Sequence, residues 1–296
     1  MNKKAILNYP KLILTFLIIV CQPSLAQERS DKHFLWKIES GKSTVYLLGS
    51  IHLAKDDLYP LDKIITDAYE KSDFLVVEVN MNNANPFDIL IRANFQDGRT
   101  LKSTLTPDIY ESLKSEFDSL HFSETLYSKM KPWFAVMTLT NLKLMKDGYK
   151  PESGIDMHFM GSAKEQNKEI LELETADFQI NLMDSVLGNF QNEFVLYTLN
   201  DFDSTVQTVD TMFSIWKSGN QKALEESIID QFKVMPNANI FIKKFLTERN
   251  FGMAEKIKSY LKTDKTYFVI VGSAHIIGKD GILDILSKSN YSIKQL

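Results

Sequence analysis

A short apolar strand running into Gly-Ser-x-His occurs twice in this chain, once near each end. The first copy is Thr44-Val45-Tyr46-Leu47-Leu48-Gly49-Ser50-Ile51-His52, followed by Lys55-Asp56; the second is Thr266-Tyr267-Phe268-Val269-Ile270-Val271-Gly272-Ser273-Ala274-His275, followed by Lys279-Asp280. With 5 His and 12 Gly in 296 residues, about 0.2 such Gly-to-His spacings are expected by chance, and two are present. Glycine lets the backbone turn sharply off the carboxyl end of a strand, which is where ligands bind in open α/β sheets. A histidine three residues later is then held at the rim of the sheet. The repeat therefore predicts two β/α units that bring His52 and His275 together on one rim.

The remaining pattern agrees with an α/β sheet. Alternation from Phe34 to Glu39, turn residues Ser40-Gly41-Lys42 and the strand from Thr44 read as a hairpin. Helical spacing over Leu58–Ser72 leads into a β-branched strand, Phe74–Val79, that reads as buried on both faces. Thr106-Pro107 reads as an N-cap with Pro at the first helical position. Further helices are expected over Pro132–Lys146, Asp156–Gln166, Asp177–Leu187, Asn192–Lys217 and Gln221–Phe232, with one strand, Glu169–Leu173, among them. Met137, Met145, Met157 and Met160 read as helical core. The end returns to β/α: helix Leu246–Lys262, strand Thr266–Val271, helix Ile282–Lys288 and strand Tyr291–Gln295. The expected fold is α/β, with pseudo-symmetric β/α halves from the two ends and a helical insertion over about residues 105–235.

The amino terminus has a separate meaning. Lys3, Lys4 and Lys11, the apolar run Leu12–Cys21 and Ser24-Leu25-Ala26 follow the order of a secretory signal peptide. The run is too short to span a bilayer as a mature helix, so the mature chain, residues 27–296, is expected to have no transmembrane segment and to be exported to the periplasm or secreted. Lipid attachment at Cys21 is the lesser alternative, because Val20 stands where that processing wants a small residue. Cys21 is the only cysteine, so a chain cleaved after Ala26 has no disulfide, thiol nucleophile or Cys-ligated metal. The formal charge of −4 and the lack of a basic stripe argue against a nucleic-acid partner.

Glu78 lies in Val-Val-Glu-Val, where a carboxylate is costly unless it is paired, metal-bound or at the sheet rim. Two His and one Glu form a ligand set of hydrolytic zinc sites, which leave one position for water. No Gly-x-Ser-x-Gly, His-Glu-x-x-His or Gly-x-Gly-x-x-Gly occurs, which argues against those hydrolase and nucleotide chemistries.

On these residues the chain resembles the TraB/GumN family, which includes the Tiki metalloproteases. The matching pieces are Leu35-Trp36-Lys37-Ile38, Leu48 to His52 and on through Tyr59-Pro60-Leu61, Val76-Val77-Glu78-Val79, and Lys131-Pro132-Trp133. They continue in Gly154 to Phe159, Leu173-Glu174-Thr175, Glu248-Arg249-Asn250 and Gly272 to His275. The resemblance implies a metal-dependent hydrolase of the peptidase type, with His52, Glu78 and His275 at the metal and a divalent ion such as Mn, Co or Zn. The implied partner is a peptide or small-molecule substrate. A protein that captures a peptide, metal or haem-like ligand without turnover is the alternative.

Several roles stay open at this level. Glu78 reads as ligand or general base, and Glu174 as base, ligand or hydrogen-bond partner. Arg249 reads as an oxyanion or carboxylate binder, or as a structural ion pair. Asp156 caps its helix or joins the site. His158 supports the site or only packs, and Gly49 and Gly272 shape the two turns. Lys131 and Trp133 are expected to anchor the helical insertion.

Overall fold

In the computed structural model, which describes residues 32–233 and 235–296, six strands form one mixed sheet in the order β4-β3-β5-β2-β1-β6. Strands β1 (Leu35–Glu39) and β2 (Thr44–Ser50) are the expected hairpin. They turn through Gly41 at φ 87°, a conformation that costs glycine little because it has no Cβ. Strand β2 pairs in parallel with β5 (Thr266–Gly272), β5 with β3 (Phe74–Val77), and β3 with β4 (Glu169–Glu172). Strand β6 (Ser292–Gln295) lies antiparallel to β1 on the opposite edge.

Four parallel strands thus end on one rim. The central strand β5 is the most buried, with Phe268, Val269, Ile270 and Val271 fully enclosed. That is the burial expected where helices cover both faces of a parallel sheet, and it explains why β5 reads as an unbroken apolar run.

Between β3 and β5 the chain is helical apart from β4. This part forms two apolar clusters of its own, one around Leu113, Phe117, Tyr127 and Leu139 and one around Trp133, Ile180 and Leu187. Lys131 and Trp133 both donate to Asp184, at 2.6 and 2.8 Å, so one carboxylate ties the start of helix Pro132–Lys146 to helix Ala176–Leu187. Trp216 Nε1 donates to the Gly49 carbonyl at 2.7 Å, which fixes helix Thr205–Lys217 against the end of β2.

Element boundaries depart from the sequence expectations where local polar groups intervene. The helix expected from Leu58 starts at Lys63, because the Asp62 side chain accepts from the Ile64 N–H and caps it there. Strand β3 stops at Val77, so Glu78 lies just past its end rather than within it. The expected helix Asn192–Lys217 is broken by a 3-10 turn at Phe202–Ser204, and the expected helix Leu246–Lys262 begins with a wide π-helical stretch, Ile242–Thr247. Thr106 precedes Pro107 as expected, but its hydroxyl makes no cap; its N–H instead donates to Asn192 Oδ1 at 3.0 Å. Helix Pro86–Ala93 has no counterpart in the sequence reading.

The methionine expectation is corrected. Only Met160 is buried; Met137, Met145 and Met157 are exposed, since each falls on the outer face of its helix.

The expected signal peptide over residues 1–26, and the alternative of a lipid on Cys21, lie outside the described residues. Among the described residues, no helix is long and apolar enough to cross a membrane.

Candidate functional site

The carboxyl ends of four neighbouring strands supply the site. His52 follows β2, His275 follows β5, Glu78 follows β3 and Glu174 follows β4. The two Gly-Ser-x-His copies therefore lie side by side although they come from opposite ends of the chain. They are offset by one residue, since Ser50 rather than Gly49 pairs with Gly272.

The glycines are required by close approach. A Cβ on Gly49 would come within 2.8 Å of the Ser273 hydroxyl, which donates to the Ser50 carbonyl at 3.0 Å. A Cβ on Gly272 would project among the site groups, 3.3 Å from Glu78 Oε1, 3.6 Å from His275 Cδ2 and 3.8 Å from His52 Nε2. Glu78 and both histidines thus face one small volume above Gly272.

Each imidazole is held through Nδ1. His52 Nδ1 is 3.0 Å from Asp156 Oδ2, and the other Asp156 oxygen accepts from the Ser50 hydroxyl at 3.1 Å. Asp156, in the first turn of helix Ile155–Glu165, therefore contacts His52 and Ser50 and is not that helix's cap. Gly154 makes the approach possible, because a Cβ there would lie 2.1 Å from the His52 carbonyl oxygen. Gly154→Ala is expected to displace the His52 turn and cost about 1–3 kcal/mol, as overpacking typically does. Urea unfolding measures this, and an unchanged midpoint would mean that the turn is not constrained there.

On the other side, His275 Nδ1 is 2.6 Å from Asn250 Oδ1, and Asn250 Nδ2 donates to the Asp280 carbonyl at 2.9 Å. His158 plays no part in these contacts; its ring packs on Tyr59 and Phe159.

Arg249 organises the acidic side. Its Nη2 donates to Glu78 Oε2 and Glu174 Oε2, both at 2.7 Å, and its Nε reaches Glu174 at 3.0 Å. Glu78 Oε1 accepts from the Gly272 N–H at 2.6 Å. Gln179, one turn into the helix that follows Glu174, donates to Glu174 Oε2 at 3.0 Å. All three ionic side chains are about 90% buried, and buried charges persist only when paired and hydrogen-bonded in this way.

The environments separate the titrations. Burial opposes ionisation of Glu78, but the His275 ring, Arg249, His52 and the Gly272 N–H together hold it down at about 2. Burial drives His275 down to about 4, so its ring is neutral near pH 7. Desolvation also acts to lower His52, yet the Asp156 hydrogen bond and charge, helped by Glu78, outweigh it and raise the ring to about 9. The His52 side chain is 64% exposed, so solvent moderates that rise.

Among the described residues, no three His, Cys, Asp or Glu side chains converge on a point that could hold a metal ion. The expected His52, Glu78 and His275 triad is therefore not assembled as a ready-made cage. Glu78 is drawn to the Gly272 N–H and to Arg249, whose buried charge needs both carboxylates. The donor chemistry still suits a divalent ion. Both imidazoles are braced at Nδ1 by groups of the kind that orient metal-bound histidines. Nε2 is free of a proton on neutral His275, whereas on His52 a metal would have to displace the proton that Asp156 helps to hold. His275 Nε2 lies 3.9 Å from Glu78 Oε1.

Asn250, Gln179 and Trp216 complete the site without having been assigned roles from the sequence. Asn250 had a signal in its position beside Arg249 in Glu248-Arg249-Asn250; Gln179 and Trp216 had none. A cavity of about 340 Å³ opens beside the first motif, lined by Lys55, Leu58, Tyr149, Asp210, Phe213 and Lys217 among others. Lys55, from the Lys-Asp pair after His52, bonds Asp210 at 3.0 Å and lies over the Tyr149 ring.

Comparison with known proteins gives the same grouping. The sequence profile of the TraB/PrgY/gumN family matches residues 34–295. The uncharacterized protein YbaP of Escherichia coli (strain K12) is 23% identical over 263 residues, covering 86% of this chain and 93% of YbaP. An uncharacterized protein of Treponema pallidum (strain Nichols) is 20% identical, covering 90% of this chain and 83% of its own length. The metalloprotease TIKI1 of Danio rerio is 18% identical over 313 residues, covering 88% of this chain and 62% of TIKI1. No solved structure matches.

Proposed function

The chain belongs to the TraB/PrgY/gumN family, and from that premise we propose that it is an exported, divalent-metal-dependent hydrolase acting on peptides. The observation that carries the reading is the pair of histidines from adjacent strands, each braced at Nδ1 and facing the Glu78 side of Gly272. The distant likeness to a metalloprotease supports the reaction class. His52 and His275 would hold the ion, and it would be Mn, Co or Zn. When bound, such an ion supplies a Lewis acid that polarises a carbonyl and acidifies water.

The chain's own residues divide the remaining work. Glu78, kept ionised at the rim, accepts a proton from the attacking water or joins the donor set. Arg249, its charge already balanced by both carboxylates, holds Glu78 and Glu174 in place. Glu174 and Gln179 fix Arg249 in turn. Helix Pro86–Ala93 presents an exposed apolar stripe, Phe87, Leu90 and Ile91, and is tied through Arg92 to Asp177 and Asn181 on the helix that carries Gln179. That stripe suits an extended peptide with apolar side chains.

The test is metal content of the purified protein, followed by peptide-library cleavage with and without that metal. Metal-dependent cleavage is expected. Metal retention with no cleavage of any peptide would instead indicate a binding protein, and absence of both would end the reading. Export is tested by the N-terminus of the secreted product, expected near Gln27; a lipid on Cys21 would overturn cleavage after Ala26.

A further inference from the structure

The amide of Asn250 has only one orientation that satisfies both of its neighbours. One end faces the Asp280 carbonyl at 2.9 Å, and a carbonyl accepts but never donates, so that end is the NH2 group. The other end, 2.6 Å from His275 Nδ1, is then the amide oxygen, which only accepts. Nδ1 must therefore carry the proton of the neutral ring, and the lone pair falls on Nε2, the atom on the Glu78 side.

The Asp280 carbonyl is itself set. Asp280 takes a left-handed backbone at φ 59°, and its N–H donates to Asp284 Oδ2 at 3.0 Å. Asp284 is in turn paired with Lys288 at 2.9 Å. The two Lys-Asp pairs of the repeat thus have different jobs. Asp56 uses its side chain to bond Lys150 and Ser153, whereas Asp280 contributes its main chain.

We infer that Asn250 is a positioning residue that locks His275 in the Nδ1–H tautomer, through a fixed chain running from Asp284 by way of the Asp280 backbone. The chain is neutral where it meets the imidazole, so it sets the tautomer without adding a charge beside it. His52 meets a carboxylate at the same ring position, so the two copies of the motif brace their histidines by different chemistry.

The tautomer is read directly from long-range 1H–15N correlation spectra of the imidazoles in 15N-labelled, chelator-treated protein near neutral pH. The wild type is expected to show His275 mainly as Nδ1–H. Asn250→Asp gives up the bond to the Asp280 carbonyl but keeps an acceptor at Nδ1 and should keep the proton there, whereas Asn250→Leu removes the acceptor and should shift the ring toward Nε2–H. A wild-type His275 that is mainly Nε2–H, or an Asn250→Leu variant that stays Nδ1–H, would overturn the inference. Should Asn250→Leu fail to fold, the wild-type spectrum and Asn250→Asp still decide it. The spectra require neither metal nor turnover, so they stand apart from the proposed hydrolase. A second readout does rest on that proposal: Asn250→Leu should weaken metal binding about 10–100-fold. A wild type that binds no metal fails the hydrolase reading and leaves the tautomer result intact.

Discussion

Replacing Arg249 with Leu is expected to cost about 3–5 kcal/mol of stability, the range for removing one partner of a buried ion pair. Here the removed group serves two carboxylates, Glu78 and Glu174, each about 90% buried. Both would be left with their charge and with little water to solvate it. The loss should depend on pH in a definite direction. Glu78 is held at about 2, below its ordinary 4.5, so its contribution is complete above 4.5 and is lost as pH falls toward 2. The gap between wild type and Arg249→Leu should therefore be widest near neutral pH and narrow below pH 4.5. Urea unfolding across that range measures it. Adding Glu174→Gln to Arg249→Leu should recover part of the loss, because one fewer charge is stranded. A gap that stays constant with pH would mean that Arg249 acts through packing and not through charge.

Much of this arrangement is legible in the sequence alone. The repeat of strand, Gly, Ser and His locates two neighbouring strand ends because glycine at a close approach and histidine at a rim are local requirements. Gly49 and Gly272 leave space for Ser273 and for the Glu78 carboxylate, respectively. Glu78 stands out because a carboxylate in an apolar strand demands a partner. The partner is beyond reach of the pattern: nothing local distinguishes Arg249 bridging two carboxylates from Arg249 on a helix surface. Glu174 comes beside Glu78 and Arg249 only through the strand order β4-β3-β5, and Asn250 meets His275 only through the packing of its helix, neither of which sequence periodicity encodes. The exposed Met137, Met145 and Met157 teach the same lesson from the other side. Methionine at helical spacing fits either face, and only tertiary packing chooses between them.

Substitutions at the three rim residues are expected to separate chemistry from folding, and to do so unequally. His52 is largely exposed, and Asp156 keeps its bond to the Ser50 hydroxyl without it. His52→Ala should therefore leave the unfolding midpoint near wild type. His275 is buried, and its loss strands the Asn250 oxygen, so His275→Ala should cost about 1–3 kcal/mol. Both should lose metal occupancy and, with it, catalysis worth several kcal/mol, or about a thousandfold in rate. Glu78→Gln is the most informative change. An amide has a single acceptor oxygen, so a glutamine side chain at this position could satisfy the Gly272 N–H or Arg249, but not both. Some destabilisation is thus expected even if the residue is only a base, and metal content and turnover must be read well below the variant's own melting point. Metal retained with turnover lost would identify Glu78 as the base; loss of both would identify it as a ligand. If all three variants keep their metal and their activity, the chemistry lies elsewhere, and the paired histidines would have to be explained by folding alone. The exposure of His52 argues against that, because a side chain so open to solvent contributes little packing that its loss could remove.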